Sequence, residues 1–207
     1  MTKVFLIRHA TNDALKDGLI YGRSPGVHLN DEGRVQAEAL AERLSTVELV
    51  AVYSSPLERA RETAGPLAER HGLEVIVHHG LIETDAGEWT GQSLEEVQQL
   101  EAWDQLMAYP AGVPLPDGES LWQVQVRMVQ AAAEIRAAHG EGIVAVVSHA
   151  DPLRVLVAHY LGLPLGLFRR LTISPASITV FDFHASVPRL ICLNDRGHVP
   201  VFEAEAD

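Results

Sequence analysis

Three short runs in the chain are apolar at every position rather than at alternate ones. They are Val4-Phe-Leu-Ile7, Leu49-Val-Ala-Val-Tyr53 and Ile143-Val-Ala-Val-Val147. Runs of this length without alternation suit strands buried on both faces, as in a mainly parallel sheet covered by helices. Val75-Ile-Val77 is a weaker strand, and 177–184 with 189–193 predict a hairpin at the C-terminal end of the sheet.

Between these runs the apolar period lengthens to that of helices. Asn30 caps a helix predicted over 31–45, with Val35, Ala39, Leu40 and Leu44 on one face. Ser55-Pro-Leu-Glu58 has the form of a capping box with proline at the first helical position, which predicts a helix over 56–70. An alanine-rich stretch predicts a long helix over 119–138. Asp151-Pro152 opens another that ends near Gly162. Strands alternating with helices predict one α/β domain over 1–207, a three-layer α/β/α sandwich around a mainly parallel, mixed sheet.

Segment 83–118 breaks the pattern. It holds two of the three tryptophans, several acidic residues and a Pro/Gly-rich end. It reads as an insertion that folds over the strand ends as a lid or wall. A solvated surface excursion is the alternative.

Composition narrows the partners. Sixteen Lys and Arg against 28 Asp and Glu give a formal charge of −12, so non-specific binding to nucleic acid or an anionic membrane is opposed by repulsion. The single cysteine, Cys192, allows no internal disulfide, and the apolar run before Arg8 is too short for a signal peptide or a membrane span. A cytoplasmic protein is expected. The sequence is compatible with a homodimer without specifying one.

An acidic protein that handles phosphate has to concentrate its arginines locally. The first apolar run ends in Arg8-His9. The second leads into Ser54-Ser55 and a helix whose first turn carries Arg59. A later one ends in Ser148-His149. Ligands of open α/β sheets bind outside the carboxyl ends of the strands, where helix N-termini favour anions. Arg8 and Arg59 therefore form a candidate phosphate site, because a guanidinium fork matches two phosphate oxygens. His9 is a candidate nucleophile, since a neutral imidazole attacks through one nitrogen while the other donates to a fixed acceptor. His149 is its candidate cationic partner against the oxygens of the transition state. Glu83 is the first choice for the acid that protonates the leaving oxygen, with Asp85 and Glu88 as rivals.

At this point Leu6-Ile-Arg-His9, Ser55-Pro-Leu-Glu-Arg-Ala-Arg-Glu-Thr63, Glu83-x-x-x-Gly87-x-Trp89-x-Gly91 and Val147-Ser-His149 resemble the ordered motifs of the histidine phosphatase superfamily, also called phosphoglycerate mutase-like. The resemblance spans nearly the whole chain. It implies that His9 is phosphorylated, that Arg8, Arg59 and His149 surround the phosphoryl group, and that Glu83 is the proton donor. The short form of the Glu83 motif is similar to the phosphatase branch. It implies a metal-independent phosphomonoesterase for a small phosphorylated metabolite, with no cofactor. Phosphoglycerate mutase-type transfer is the runner-up, and a phospho-ligand binding module without turnover is the third reading.

The first motif departs from the usual Arg-His-Gly pattern and reads Arg8-His-Ala-Thr-Asn12, with Leu15 where an asparagine is usual. Ala10 suffices if no positive φ is required there. Asn12 still offers an amide to phosphate, and Arg23 lies where relatives form a substrate rim.

Two other chemistries fail on the residues. Gly22-Arg-Ser-Pro-Gly26 fits a serine-hydrolase elbow, but Pro25 lacks the N–H needed for the oxyanion hole. His78 and His79 are adjacent and would face opposite sides of a strand, so they make no metal site.

Overall fold

In the computed structural model, residues 2–15, 17–183 and 187–199 are described. The turn of the predicted C-terminal hairpin, around His184, and the side chain of Leu15 lie outside them.

The continuous apolar runs become the strands that their burial requires. β1 (Thr2–Arg8), β2 (Leu49–Ser54), β3 (Val75–Val77), β4 (Gly142–Ser148), β5 (Ile178–Asp182) and β6 (Arg189–Asp195) form one sheet in the order β3-β2-β4-β1-β5-β6. The first four in that order run parallel, and β5 and β6 are antiparallel. β1, β2 and β4 are the apolar runs identified above, and β1 and β4 lie at the centre of the sheet.

Helices cover both faces, which makes the three layers. α1 (Asp31–Arg43) and α2 (Glu58–Arg70) pack Leu40, Leu44, Ala64 and Leu67 against Ile7, Val52 and Val147. On the other face, α5 (Leu121–Ala138) and α6 (Ala150–Leu161) pack Val124, Met128, Leu153 and Leu156 against Val4, Leu6 and Val146. Alternate residues of β1 thus serve opposite cores, as a period of two requires. Two short helices, α3 (Leu94–Val97) and α4 (Glu101–Ala108), belong to the 83–118 segment.

Three of the four helix starts differ in detail from the sequence reading. α1 is capped as expected, with Asn30 Oδ1 accepting from the Gly33 N–H at 2.8 Å. Gly33 has a second use: a Cβ there would lie 2.0 Å from the Thr11 carbonyl oxygen, so glycine lets α1 press onto the loop after β1. The expected capping box at Ser55 does not form. α2 starts at Glu58 behind an extended Leu57 that has no side-chain cap, because the Ser55 hydroxyl is engaged elsewhere. α5 starts at Leu121 rather than at 119. Ser120 and Gln123 form its capping box while the Glu119 carboxylate turns to Arg127. α6 starts one residue before Asp151, behind an extended His149, and ends at Gly162 in the left-handed region (φ 65°).

Candidate active site

Sheet register brings the residues together. Arg8 pairs with Ser148 between β1 and β4, and Ser54 pairs with Val147 between β2 and β4. The ladders continue one residue further: the His9 N–H donates to Ser148 O, and the Ser55 N–H donates to Val147 O, each at 2.9 Å. Three chain segments therefore leave the sheet side by side at its carboxyl edge. They carry Arg8-His9, Ser55 and His149.

His9 is 3% exposed. Its Nδ1 lies 2.7 Å from the Ala10 carbonyl oxygen. A carbonyl only accepts, so Nδ1 carries the proton and Nε2 keeps its lone pair. Burial first, then the charges of Arg8 and Arg59, hold the ring well below the ordinary histidine pKa, so it is neutral at pH 7. Ala10 adopts no left-handed φ and is fully buried, so the methyl group that replaces the usual glycine is accommodated. Its N–H donates to Thr63 Oγ1 (2.9 Å), and Thr63 Oγ1 donates to the Arg59 carbonyl (2.7 Å), which ties the loop after β1 to α2.

Both arginines are anchored through one nitrogen. Arg8 Nη1 donates to Ile173 O at 2.8 Å, and Arg59 Nη2 donates to Gly22 O at 2.9 Å. Arg8 Nε and Arg59 Nη1 are buried and have no hydrogen-bond partner among the described residues. Burial lowers Arg8 to about 10, which leaves it charged at neutral pH. These N–H groups are what an anion with several acceptor oxygens satisfies.

His149 is fully buried, with its ring centroid 5.1 Å from that of His9. Its Nε2 lies 2.7 Å from Ser55 Oγ. The Ser55 oxygen also receives the Leu57 N–H at 3.4 Å, and among the described residues the acceptor for the hydroxyl proton is His149 Nε2. Nδ1 then carries the ring proton. It lies 3.8 Å from Glu83 Oε2 and has no hydrogen-bond partner among the described residues, which leaves it free to donate. From the sequence, a cationic His149 is expected. In this site burial, followed by His9 and the two arginines, pushes its pKa well down, so His149 is a neutral donor.

Glu83 follows β3 and lines the same cavity as Arg8, His9 and Arg59. Burial, reinforced by Asp151, raises its pKa to about 7, against the opposing pull of the Thr84 N–H and the arginines. Of the rivals, Asp85 is held in an ion pair with Arg23 at 3.3 Å, and neither it nor Glu88 lines the cavity. Asn12 is buried and lines it.

Arg23 is the site residue that the structure places elsewhere. Its Nε donates to the Glu83 carbonyl (2.9 Å), and its remaining nitrogens pair with Asp85 (3.3 Å) and Glu119 (2.8 Å). It does not line the cavity, and each of its three guanidinium nitrogens already has an acceptor.

Sequence reasoning missed Ser55 as a partner of His149, and it missed Arg127. Arg127, on α5, donates to the carbonyls of Gly80 (3.0 Å), Ile82 (2.7 Å) and Glu83 (3.1 Å), and its Nε pairs with Glu119 at 2.9 Å. Two guanidiniums thus hold the Glu83 carbonyl. Nothing in the local pattern marks Arg127, which looks like any solvated arginine of an amphipathic helix.

Residues of the 83–118 segment, Trp89, Trp103, Leu106 and Val113 among them, line a cavity of about 290 Å³. The segment has a small core of Trp89, Val97 and Leu106. It is sewn to the loop before α1 by Gly91 N–H to Ile20 O (2.7 Å) and Ile20 N–H to Gln92 O (2.9 Å). Among the described residues no group of three His, Cys, Asp or Glu side chains is arranged to hold a metal, and no helix is long and apolar enough to cross a membrane.

The arrangement can present an imidazole lone pair to an anion held by N–H donors, with a carboxylic acid of raised pKa in the same cavity. Known proteins agree with that chemistry. The chain is 35% identical over 208 residues to phosphoserine phosphatase 1 of Hydrogenobacter thermophilus, covering 100% of this chain and 98% of that protein. It is 30% identical over 188 residues to a probable phosphoglycerate mutase of Enterobacter sp. (strain 638), covering 90% and 87%. Among solved structures, a mycobacterial glucosyl-3-phosphoglycerate phosphatase with VO3 superposes with a TM-score of 0.86 at 30% identity, covering 94% of this chain and 99% of that one. The model of the histidine phosphatase superfamily (branch 1) matches residues 4–196, and the chain belongs to that superfamily.

Proposed function

We propose that the chain is a phosphomonoesterase that works through a phosphohistidine on His9, with Glu83 as general acid and then general base. The tautomer of His9 carries this reading: Nδ1 donates to the Ala10 carbonyl at 2.7 Å, so the Nε2 lone pair is the available nucleophile. In the first step Nε2 attacks phosphorus and the bond from phosphorus to the ester oxygen breaks. The proton of Glu83 passes to that oxygen, and the alcohol leaves. In the second step water attacks phosphorus and gives its proton to the Glu83 carboxylate. The N–P bond breaks, and inorganic phosphate departs. Arg8, Arg59, Asn12 and the Nδ1–H of His149 bind the phosphoryl oxygens in both steps. Arg23 positions the Glu83 segment instead of contacting substrate.

The 83–118 segment is the wall of the site within a single domain. A cytoplasmic location fits the single cysteine, and the net charge of −12 disfavours nucleic acid as a partner. Trp122 and Val126, exposed one helical turn apart on α5, are the surface a homodimer would bury, and sedimentation equilibrium decides the state.

The mutase relative keeps a second acceptor in view, a substrate hydroxyl in place of water. A panel of sugar phosphates, phosphoglycerates, phosphoserine and nucleotides, with and without a bisphosphoglycerate primer, separates the two. Primer-independent phosphate release that is lost in His9→Ala is the expected result. Efficient mutase turnover with negligible hydrolysis would reject the phosphatase.

A further inference from the structure

The cavity has two chemically different halves. The inner half is the anion site already described. The outer half is apolar: Leu19, Ile20, Trp103, Met107, Val113 and Phe168 line it. The acidic residues of the lining other than Glu83 are already committed. Glu119 pairs with Arg127 (2.9 Å) and Arg23 (2.8 Å), and Asp151 pairs with Arg154 (2.7 Å). The remaining cation, Arg169, sits exposed at the rim with its guanidinium 5.2 Å from the Trp103 ring centroid. Beyond the anion site, a substrate carboxylate would therefore meet apolar side chains, two acidic groups and, as a cation, Arg169 alone among the lining residues. An apolar body would be desolvated against matching surface.

We infer that the alcohol half of the preferred substrate is apolar and uncharged, about the size of a benzene ring on a short chain, and that the chamber lined by Leu19, Trp103, Val113 and Phe168 selects it. The inference rests on the phosphatase reading for turnover, but the chamber itself is independent of it. It departs from the substrate named for the phosphoserine phosphatase relative. The inner half, which binds the phosphoryl group, is common to both substrates.

The test uses the full chain and three esters that all release aliphatic alcohols: 2-phenylethyl phosphate, O-phosphoserine and 3-phosphoglycerate. The expected kcat/KM for the phenylethyl ester exceeds each of the others by ~10-fold or more, the scale on which an apolar pocket discriminates. Val113→Arg, on the loop of the wall, should shrink that ratio by about tenfold. Equal or better turnover of phosphoserine or phosphoglycerate overturns the inference and leaves the phosphatase reading standing. Failure of all three esters and of p-nitrophenyl phosphate would instead reject the phosphatase reading. Calorimetry then decides the chamber alone. Binding of 2-phenylethylphosphonate ~10-fold tighter than methylphosphonate supports it, and equal binding overturns it.

Discussion

Ser55 shows how far a residue's role depends on what faces it. Its position before Pro56 and Glu58 looks like a helix cap, yet its hydroxyl sits 2.7 Å from His149 Nε2 and fixes which nitrogen of that ring carries the proton. Ser55→Ala should lower kcat by about tenfold, the worth of one well-placed hydrogen bond, with Ser55→Thr restoring part of it. The check is the pH–rate profile of both variants, because a purely structural loss would leave its shape unchanged. At Glu83 the raised pKa of about 7 makes two predictions. Glu83→Gln should slow the first step ~10²–10⁴-fold for esters with poor leaving groups and much less for aryl esters. Equal effects on both would count against its role as acid. The same group also links stability to pH. Its pKa is higher in the folded chain than in the unfolded one, so its contribution is complete in acid and is lost as pH rises through about 7. Glu83→Gln should therefore raise Tm relative to wild type at pH 8 and not at pH 5. His9 and His149 are shifted the other way, so their contribution is lost as pH falls below the ordinary histidine range.

At the scale of elements, the strands were legible because continuous apolar runs have few other uses. Helix starts were less so. A capping pattern counts partners within the first turn only, and at Ser55 and Glu119 partners outside it won: His149 in one case, Arg127 and Arg23 in the other. Arg127 is the clearest example of what local pattern cannot reach, since its three carbonyl acceptors lie more than forty residues earlier in the chain. Arg127→Met would take this donor from the Gly80 and Ile82 carbonyls and leave Arg23 as the one guanidinium on the Glu83 carbonyl and the Glu119 carboxylate. Breaking one side of a fully buried pair costs ~3–5 kcal/mol, this partly buried one should cost less, and denaturant unfolding of the variant measures it. Gly87 ties the same segment to its own far end: at φ 54° a Cβ would lie 1.9 Å from the Pro116 carbonyl oxygen. Gly87→Ala should therefore disturb the wall, lowering turnover more than global stability.

At the scale of the whole molecule, topology did most of the assembling. Arg8, His9, Ser55 and His149 come from three segments far apart in sequence, and the parallel register of β1, β2 and β4 sets them at one edge. That convergence could be anticipated because ligand sites of such sheets lie at carboxyl strand ends. What could not be anticipated was the protonation state of His149, because the cost of burying a charge depends on the packed surroundings. Arg23 was misplaced for a related reason, since two carboxylates and a carbonyl claim it first.

The proposed mechanism turns on transfer of the phosphoryl group to one nitrogen of one residue. Mass spectrometry of the chain, quenched in alkali during turnover of a phosphate ester, tests this directly. The prediction is a base-stable, acid-labile phosphohistidine at His9, bonded through Nε2 and absent from His9→Ala. Phosphate on Nδ1 or on another residue, or turnover without any phosphorylated His9, would contradict it.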